Sequence, residues 1–206
     1  MTRHVVLLHG LWMPRASMAL LAARLARAGY TTSLFGYPTV RQGPDEAVPR
    51  LADCLRAQRA HIVAHSLGGL VALETLHRHH GVPVGRVVCL GSPLHGSAAA
   101  EGLAHHRWGA FALGRSAALL REGCEACTDD VEVGVVAGRK PLGFGRWFGA
   151  FDGASDGTVA VAETRLEGLA DHVTVAASHT GLVLSSAAAA QAIVFLREGR
   201  FRHASP

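Results

Sequence analysis

The chain has 206 residues, 49% of them hydrophobic and 17% charged, a balance that excludes intrinsic disorder, which needs few apolar groups and much charge. A chain of this length buries about 70% of the surface that its unfolded form exposes, so one domain is expected, with no need of disulfides or a structural metal. The net charge of +4 rests on arginines scattered from Arg3 to Arg202, and that spread excludes the basic patch with interleaved aromatics that nucleic-acid binding uses.

The N-terminus runs straight into a short apolar stretch, Val5–Leu8. It is too short for a signal-peptide core, and no stretch approaches the ~20 apolar residues of a membrane span. A soluble, cytoplasmic, monomeric protein without stable membrane insertion is expected. The first strand is read over His4–Leu8. A helix follows over Ser17–Ala28, with Met18, Leu21, Ala22 and Leu25 on one face and Gly29 as its stop. The second strand is Thr31–Gly36. Asp45 is expected to cap the next helix, in which Val48, Leu51, Ala52 and Leu55 recur at i, i+3, i+4 and i+7. Strand His61–Ala64 is followed at once by a helix from Leu67 to His79, and then by strand Arg86–Leu90.

The rhythm breaks over Pro93–Asp130, which is rich in Gly and Ala and carries Trp108, Phe111, Leu113, Leu119 and Leu120. Strand Val131–Ala137 comes next. A second irregular stretch, Gly138–Ser155, holds Phe144, Trp147, Phe148 and Phe151. Strand His172–Val175 and helix Ser186–Glu198 come last. Nearly continuous apolar strands alternating with helices imply parallel βαβ units with right-handed crossovers. The expected fold is therefore α/β: a mostly parallel sheet of about six strands, covered by helices on both faces as a three-layer sandwich. Apolar residues in the long connections of such a fold either patch the core or line a ligand cleft.

Cys54 falls in a helical pattern and Cys89 in a strand, and both read as buried thiols. Cys124 and Cys127 form a single CxxC. With no second pair, and only the adjacent His105 and His106 nearby, a surface pair or an adventitious disulfide fits better than zinc. No metal is expected.

The strongest chemical signal is His61-Ile-Val-Ala-His-Ser-Leu-Gly-Gly69. An apolar strand ends at Ala64, Ser66 follows, and a helix begins. Small-x-Ser-x-Gly at such a junction is a nucleophile elbow, in which the positions two before and two after the serine must be small. Ala64 and Gly68 are. The helix N-terminus beneath Ser66 favours negative charge developing there. A dinucleotide-binding turn is excluded, because His9-Gly10-Leu11-Trp12-Met13-Pro14 follows the first strand and contains no GxGxxG.

These segments resemble an α/β-hydrolase, more narrowly the small bacterial lipases and esterases. His9-Gly10-Leu11-Trp12 resembles the loop that supplies the first oxyanion donor, and Ala64-His-Ser-Leu-Gly-Gly69 the elbow. Gly91-Ser-Pro-Leu-His-Gly-Ser97 resembles the segment after the next strand. Ser155-Asp156-Gly157-Thr158 resembles the loop of the catalytic acid, and Ser178-His179-Thr180-Gly181 that of the catalytic histidine. The resemblance spans essentially the whole chain and implies a minimal hydrolase domain over 1–206, starting at the third strand of the full fold. Residues 93–130 would form a small cap or lid-like insertion.

Physical reasoning supports the same roles. A serine hydroxyl needs a neighbouring base, normally a neutral imidazole held in one tautomer by a carboxylate. In this fold the order is Ser, acid, His. Asp156 lies in a Ser-Asp-Gly turn, and Asp152, also followed by glycine, is its rival; Glu163, Glu167 and Asp171 are expected on a solvated face. His172 opens a strand and points away from the edge where ligands bind, whereas His179 lies just past that strand. His65 is expected to face away from the serine. The backbone N–H groups of Leu11 and Leu67 would form the oxyanion hole, and His9 would fix the first loop. Trp12, His95, Trp108 and Phe111 are the candidate substrate contacts. Together these imply a cofactor-free esterase or lipase, acting on a small apolar ester through an acyl-Ser66 intermediate. A shallow cleft and short to medium acyl chains are expected. Acyltransferase or thioesterase chemistry on the same residues stays open, as does a non-catalytic binding protein on this fold.

Overall fold

Six strands carry the architecture: β1 (His4–Leu8), β2 (Thr31–Phe35), β3 (Ala60–His65), β4 (Val84–Leu90), β5 (Glu132–Gly138) and β6 (Asp171–Val175). In the computed structural model, which describes residues 2–127, 130–142 and 153–203, they form one sheet in the order β2-β1-β3-β4-β5-β6. Every neighbouring pair is parallel. Each strand lies within two residues of its expected bounds.

Side-chain alternation splits the core in two. Val5 and Leu7 of β1, with Val88 and Leu90 of β4, pack under Leu21, Ala22 and Leu25 of α1 (Ala19–Arg27) and Ala192, Phe195 and Leu196 of α8 (Ser186–Glu198). Val6, Leu8, Val87 and Cys89 face the other way. They meet Val48, Leu51 and Leu55 of α2 (Gly43–Ala57) and Leu70, Val71 and Leu73 of α3 (Leu67–Arg78). Helices on both faces explain why the strands read as continuous apolar runs. All four cysteines are free; burial pushes the Cys124 thiol up to about 12 and that of Cys127 up to about 11. No described helix is long and apolar enough to cross a membrane.

Several expectations are corrected. The first helix opens as a 3-10 turn over Arg15–Met18 before α1 begins. α2 starts at Gly43, two residues before Asp45, and no side chain caps it. Asp45 and Glu46 instead occupy its first turn, where the helix dipole favours carboxylates. The stretch after β4 is not irregular. It holds α4 (Ala98–Ala104), α5 (Arg107–Leu113) and α6 (Ala117–Glu122). Ser97 Oγ caps α4 by accepting from the Ala100 N–H at 3.2 Å. Helices of six or seven residues span at most two turns, too few for an apolar period to show. α7 (Gly181–Leu184) is a single turn between β6 and α8.

Gly134 in β5 shows how tightly the first core is packed. A Cβ there would run into the ring of Phe195 on α8. Gly134→Ala is expected to lower stability by about 1–3 kcal/mol through overpacking. The added Phe195→Leu should recover part of that loss, since neighbouring substitutions couple. Urea denaturation of the two single variants and the double variant measures both effects.

Candidate active site

The carboxyl ends of β1, β3, β4 and β6 deliver four loops to one edge of the sheet. At the end of β3 the chain turns so sharply that Ser66 adopts φ 54°, ψ −123°. That region is sparsely populated for any residue with a Cβ and is held only when its surroundings enforce it. They do so here: the Ser66 N–H donates to the Leu90 carbonyl at 3.0 Å, and its own carbonyl accepts from the Gly69 N–H at 3.0 Å. The glycines allow the close approach of β1. A Cβ on Gly68 would lie 2.9 Å from both the His9 carbonyl oxygen and the Leu8 Cβ, and one on Gly10 would lie 3.0 Å from the Ser66 Cβ.

His179 follows β6, and its Nε2 stands 3.0 Å from the Ser66 Oγ. Its Nδ1 lies 2.7 Å from Asp156 Oδ2. The carboxylate accepts, so Nδ1 carries the proton and Nε2 is left to accept from the serine hydroxyl. The Asp156 side chain is fixed on its other oxygen by the Thr158 and Val159 N–H groups at 2.9 and 2.7 Å. The backbones also join, His179 N–H to Asp156 carbonyl at 3.0 Å. Asp156 is 1% exposed and the His179 side chain 12%. Sequence reasoning had Asp156, Ser66 and His179 as partners, and the structure brings the three together. The rival Asp152 lies outside the described residues. His172 bonds Thr164 Oγ1 at 2.8 Å, away from this group.

Leu11 follows a loop pinned by His9. The His9 Nδ1 donates to the Gly10 carbonyl at 3.0 Å, its carbonyl accepts from the Tyr37 hydroxyl at 2.8 Å, and the two rings stack at 4.6 Å. Burial lowers the His9 pKa, so the ring is held neutral. The described hydrogen bonds give neither the Leu11 nor the Leu67 N–H an acceptor. Leu67 heads α3, where no preceding turn can accept from it.

Over Ser66 lies an apolar cavity of about 420 Å³. Leu11, Trp12 and Met13 line one side, Leu142 and Val159 another, and Pro93, Ala99, Ala100, Leu103, Leu113 and Leu120 the wall from the segment after β4. Trp12 is steered there by a φ of 58° and by its indole N–H, which donates to the Ala112 carbonyl at 2.9 Å. Two expected contacts, Phe111 and His95, do not line this cavity. Phe111 is 85% exposed: it lies about 200° around α5 from Leu113, which faces inward. His95 lines a separate polar cavity of about 800 Å³ with Glu74, His77 and Glu122, because its N–H is tied to the Glu163 carbonyl at 2.9 Å. The Trp108 side chain lies outside the described residues.

Two residues were misjudged from sequence. Glu163 is not on a solvated face. Its carboxylate accepts from the Ala98 N–H at 2.6 Å and the Ala160 N–H at 2.7 Å, joining α4 to the Asp156 turn, and burial raises its pKa. His65 does not face away; it lines the cavity and its ring lies 4.8 Å from that of His179. The alternation of β3 gave no warning, because the strand ends there and the next residue is the strained one.

A model of the alpha/beta hydrolase family matches residues 5–200. No curated protein matches the chain. Among solved structures, the mature form of Bacillus licheniformis lipase BlEst2 superposes with a TM-score of 0.73 at 23% identity, covering 96% of this chain and 92% of that one. The product of a Listeria innocua gene gives 0.64 at 16% identity over 98% and 96% of the two chains. Legionella pneumophila phospholipase PlaB gives 0.71 at 19% identity over 96% of this chain and 59% of the other. At these identities the likeness is one of fold.

Gly91 sits at φ 58°, where a Cβ would lie 3.0 Å from Asp156 Oδ2 and 3.3 Å from His179 Nδ1. Gly91→Ala is expected to cost about 1–2 kcal/mol for the left-handed conformation alone. It should also lengthen the His179–Asp156 hydrogen bond. Thermal melting measures the first effect, and an upfield shift or loss of the downfield imidazole N–H resonance in proton NMR measures the second.

Proposed function

The chain belongs to the alpha/beta hydrolase family, and from that premise we propose that it is a serine hydrolase cleaving carboxylic esters through an acyl-Ser66 intermediate. The observation that carries this is the continuous hydrogen-bonded line from Ser66 Oγ through His179 to Asp156, at 3.0 and 2.7 Å, on the floor of an apolar cavity. A lipase and a phospholipase among the proteins that share the fold agree with it.

Each group has one task. His179 Nε2 takes the Ser66 proton as Oγ attacks the ester carbonyl, and Asp156 holds the ring in the Nδ1–H tautomer and stabilises the imidazolium that forms. The Leu11 and Leu67 N–H groups, which have no acceptor among the described residues, receive the oxyanion at the start of α3. His179 then passes the proton to the departing alcohol. Water, activated by the same imidazole, releases the acid from Ser66. No cofactor has a role in these steps. The acyl chain lies along Leu103, Leu113 and Leu120, with residues 93–130 acting as a small cap, and the apolar lining selects apolar esters.

Ser66→Ala is expected to lower turnover of p-nitrophenyl butyrate by about 10⁴-fold or more with the fold unchanged, and to abolish labelling by a fluorophosphonate. Asp156→Asn should cost about 10⁴-fold, because the amide favours the wrong imidazole tautomer. Turnover of Ser66→Ala within tenfold of wild type would reject the mechanism.

The wall is tested separately. Leu103→Phe narrows the cavity, so the rate on laurate esters should fall relative to butyrate by about tenfold, the scale of one or two methylene contacts in an apolar pocket. An unchanged ratio places the acyl chain elsewhere.

A further inference from the structure

His65 has no task in the reaction above, yet it is buried in the middle of the machinery. Its Nε2 lies 3.0 Å from the His179 carbonyl oxygen. A carbonyl only accepts, so Nε2 carries the ring proton and donates it. Nδ1 is then a bare acceptor, buried without a partner among the described residues. Beside it runs the backbone of Gly10, where a Cβ would lie 2.9 Å from Nδ1. The ring is tilted 48° against the His179 ring, with centroids 4.8 Å apart. One imidazole is thus wedged between the loop that carries His179 and the loop that carries Leu11.

The charged form has no place in this setting. A proton on Nδ1 would meet no acceptor among the described residues, and its charge would oppose the proton that His179 takes up rather than pair with it. Burial, with the nearby His179 second, pushes the His65 pKa down to about 3. An orphaned buried acceptor is itself unfavourable. An apolar side chain of similar size would avoid that cost but would leave the His179 carbonyl with only the longer contact from the Leu182 N–H at 3.3 Å.

We infer that His65 is a positioning residue, a permanently neutral imidazole that fixes the His179 loop through its Nε2–H and backs the His179 ring, keeping Nε2 of His179 in reach of Ser66. The inference rests on the reading of Ser66, His179 and Asp156 as the reacting groups. Its benefit is greatest when His179 becomes a cation, because a second charged ring at that distance would oppose the proton transfer. The displacement at stake is small, but about 1 Å of misplacement can cost on the order of 100-fold in rate.

Two variants test it. His65→Phe keeps a ring and removes the donor; His65→Gln places an amide N–H near the original Nε2. For His65→Phe, kcat on p-nitrophenyl butyrate should drop by about 10- to 100-fold while KM stays within about threefold. His65→Gln should recover most of the loss. The acid limb of the pH–rate profile should show the same single ionisation in wild type and His65→Gln.

Stability gives a second readout. The folded pKa lies below the unfolded value, so wild type loses stability as pH falls from about 6.5 towards 3, and its urea midpoint should fall more steeply with acid than that of His65→Gln. If His65→Phe does not fold, nitrogen NMR of histidine-labelled wild type decides. The resonances absent from His65→Gln should report a proton on Nε2 and no titration between about pH 5 and 9.

A folded His65→Phe with wild-type kcat, a His65→Gln no better than His65→Phe, or titration of His65 in that range overturns the inference. If Ser66→Ala is inert and His65→Phe turns over normally, only the role of His65 is lost. If Ser66→Ala keeps its activity, the catalytic reading fails and this inference falls with it.

Discussion

Everything at the functional edge of this protein depends on one strained residue. Ser66 is held at φ 54° between a fully buried strand and a helix that begins at the next position. An L-residue stays in that region only because the sheet on one side and α3 on the other leave the chain no alternative. The strain lifts Oγ clear of the sheet and keeps the first amide of α3 unspent. It also dictates the neighbours: Gly68 must admit the end of β1, and Gly10 must admit Ser66 itself.

The same edge gathers the partners of Ser66 from distant parts of the chain. In a parallel sheet all the carboxyl ends point one way, so the loops after β1, β3, β4 and β6 arrive together. Asp156 is brought in by a turn of its own. Its oxygens are divided between roles, one bonded to His179 and the other to the Thr158 and Val159 N–H groups. Two hydrogen bonds from backbone to the second oxygen orient the first, so the carboxylate cannot rotate away from the imidazole. His65 supplies a matching restraint on the far side of His179, from the end of the strand that leads into the serine.

Side-chain hydrogen bonds join the wall of the cavity to this framework. The Trp12 indole reaches the Ala112 carbonyl, Glu163 spans from the Asp156 turn to the start of α4, and the Ser116 hydroxyl donates to the Thr39 carbonyl. The apolar surface over Ser66 is therefore tied to the loops that shape the reacting group, and a change in one is felt in the other. This explains why a half-buried carboxylate with a raised pKa is found between the acid turn and a helix that carries no catalytic side chain of its own.

Much of this was legible in the residues themselves. Continuous apolar strands separated by helices lead to a parallel sheet covered on both faces, and small residues around a serine at a strand–helix junction lead to the elbow. Ser66, Asp156 and His179 could be picked because turn chemistry and chain order are local properties. The short helices after β4 could not, since seven residues are too few to show a period. Nor could the inward turn of Leu113 and the outward turn of Phe111, or the diversion of His95 to another cavity, because each depends on a contact with a remote segment. Sequence by itself determined which residues could do chemistry and which edge of the sheet they would occupy. Only the tertiary structure decided which side chains face the cavity, and that His65 and Glu163 brace it, because facing and bracing are set by distances between residues far apart in the chain.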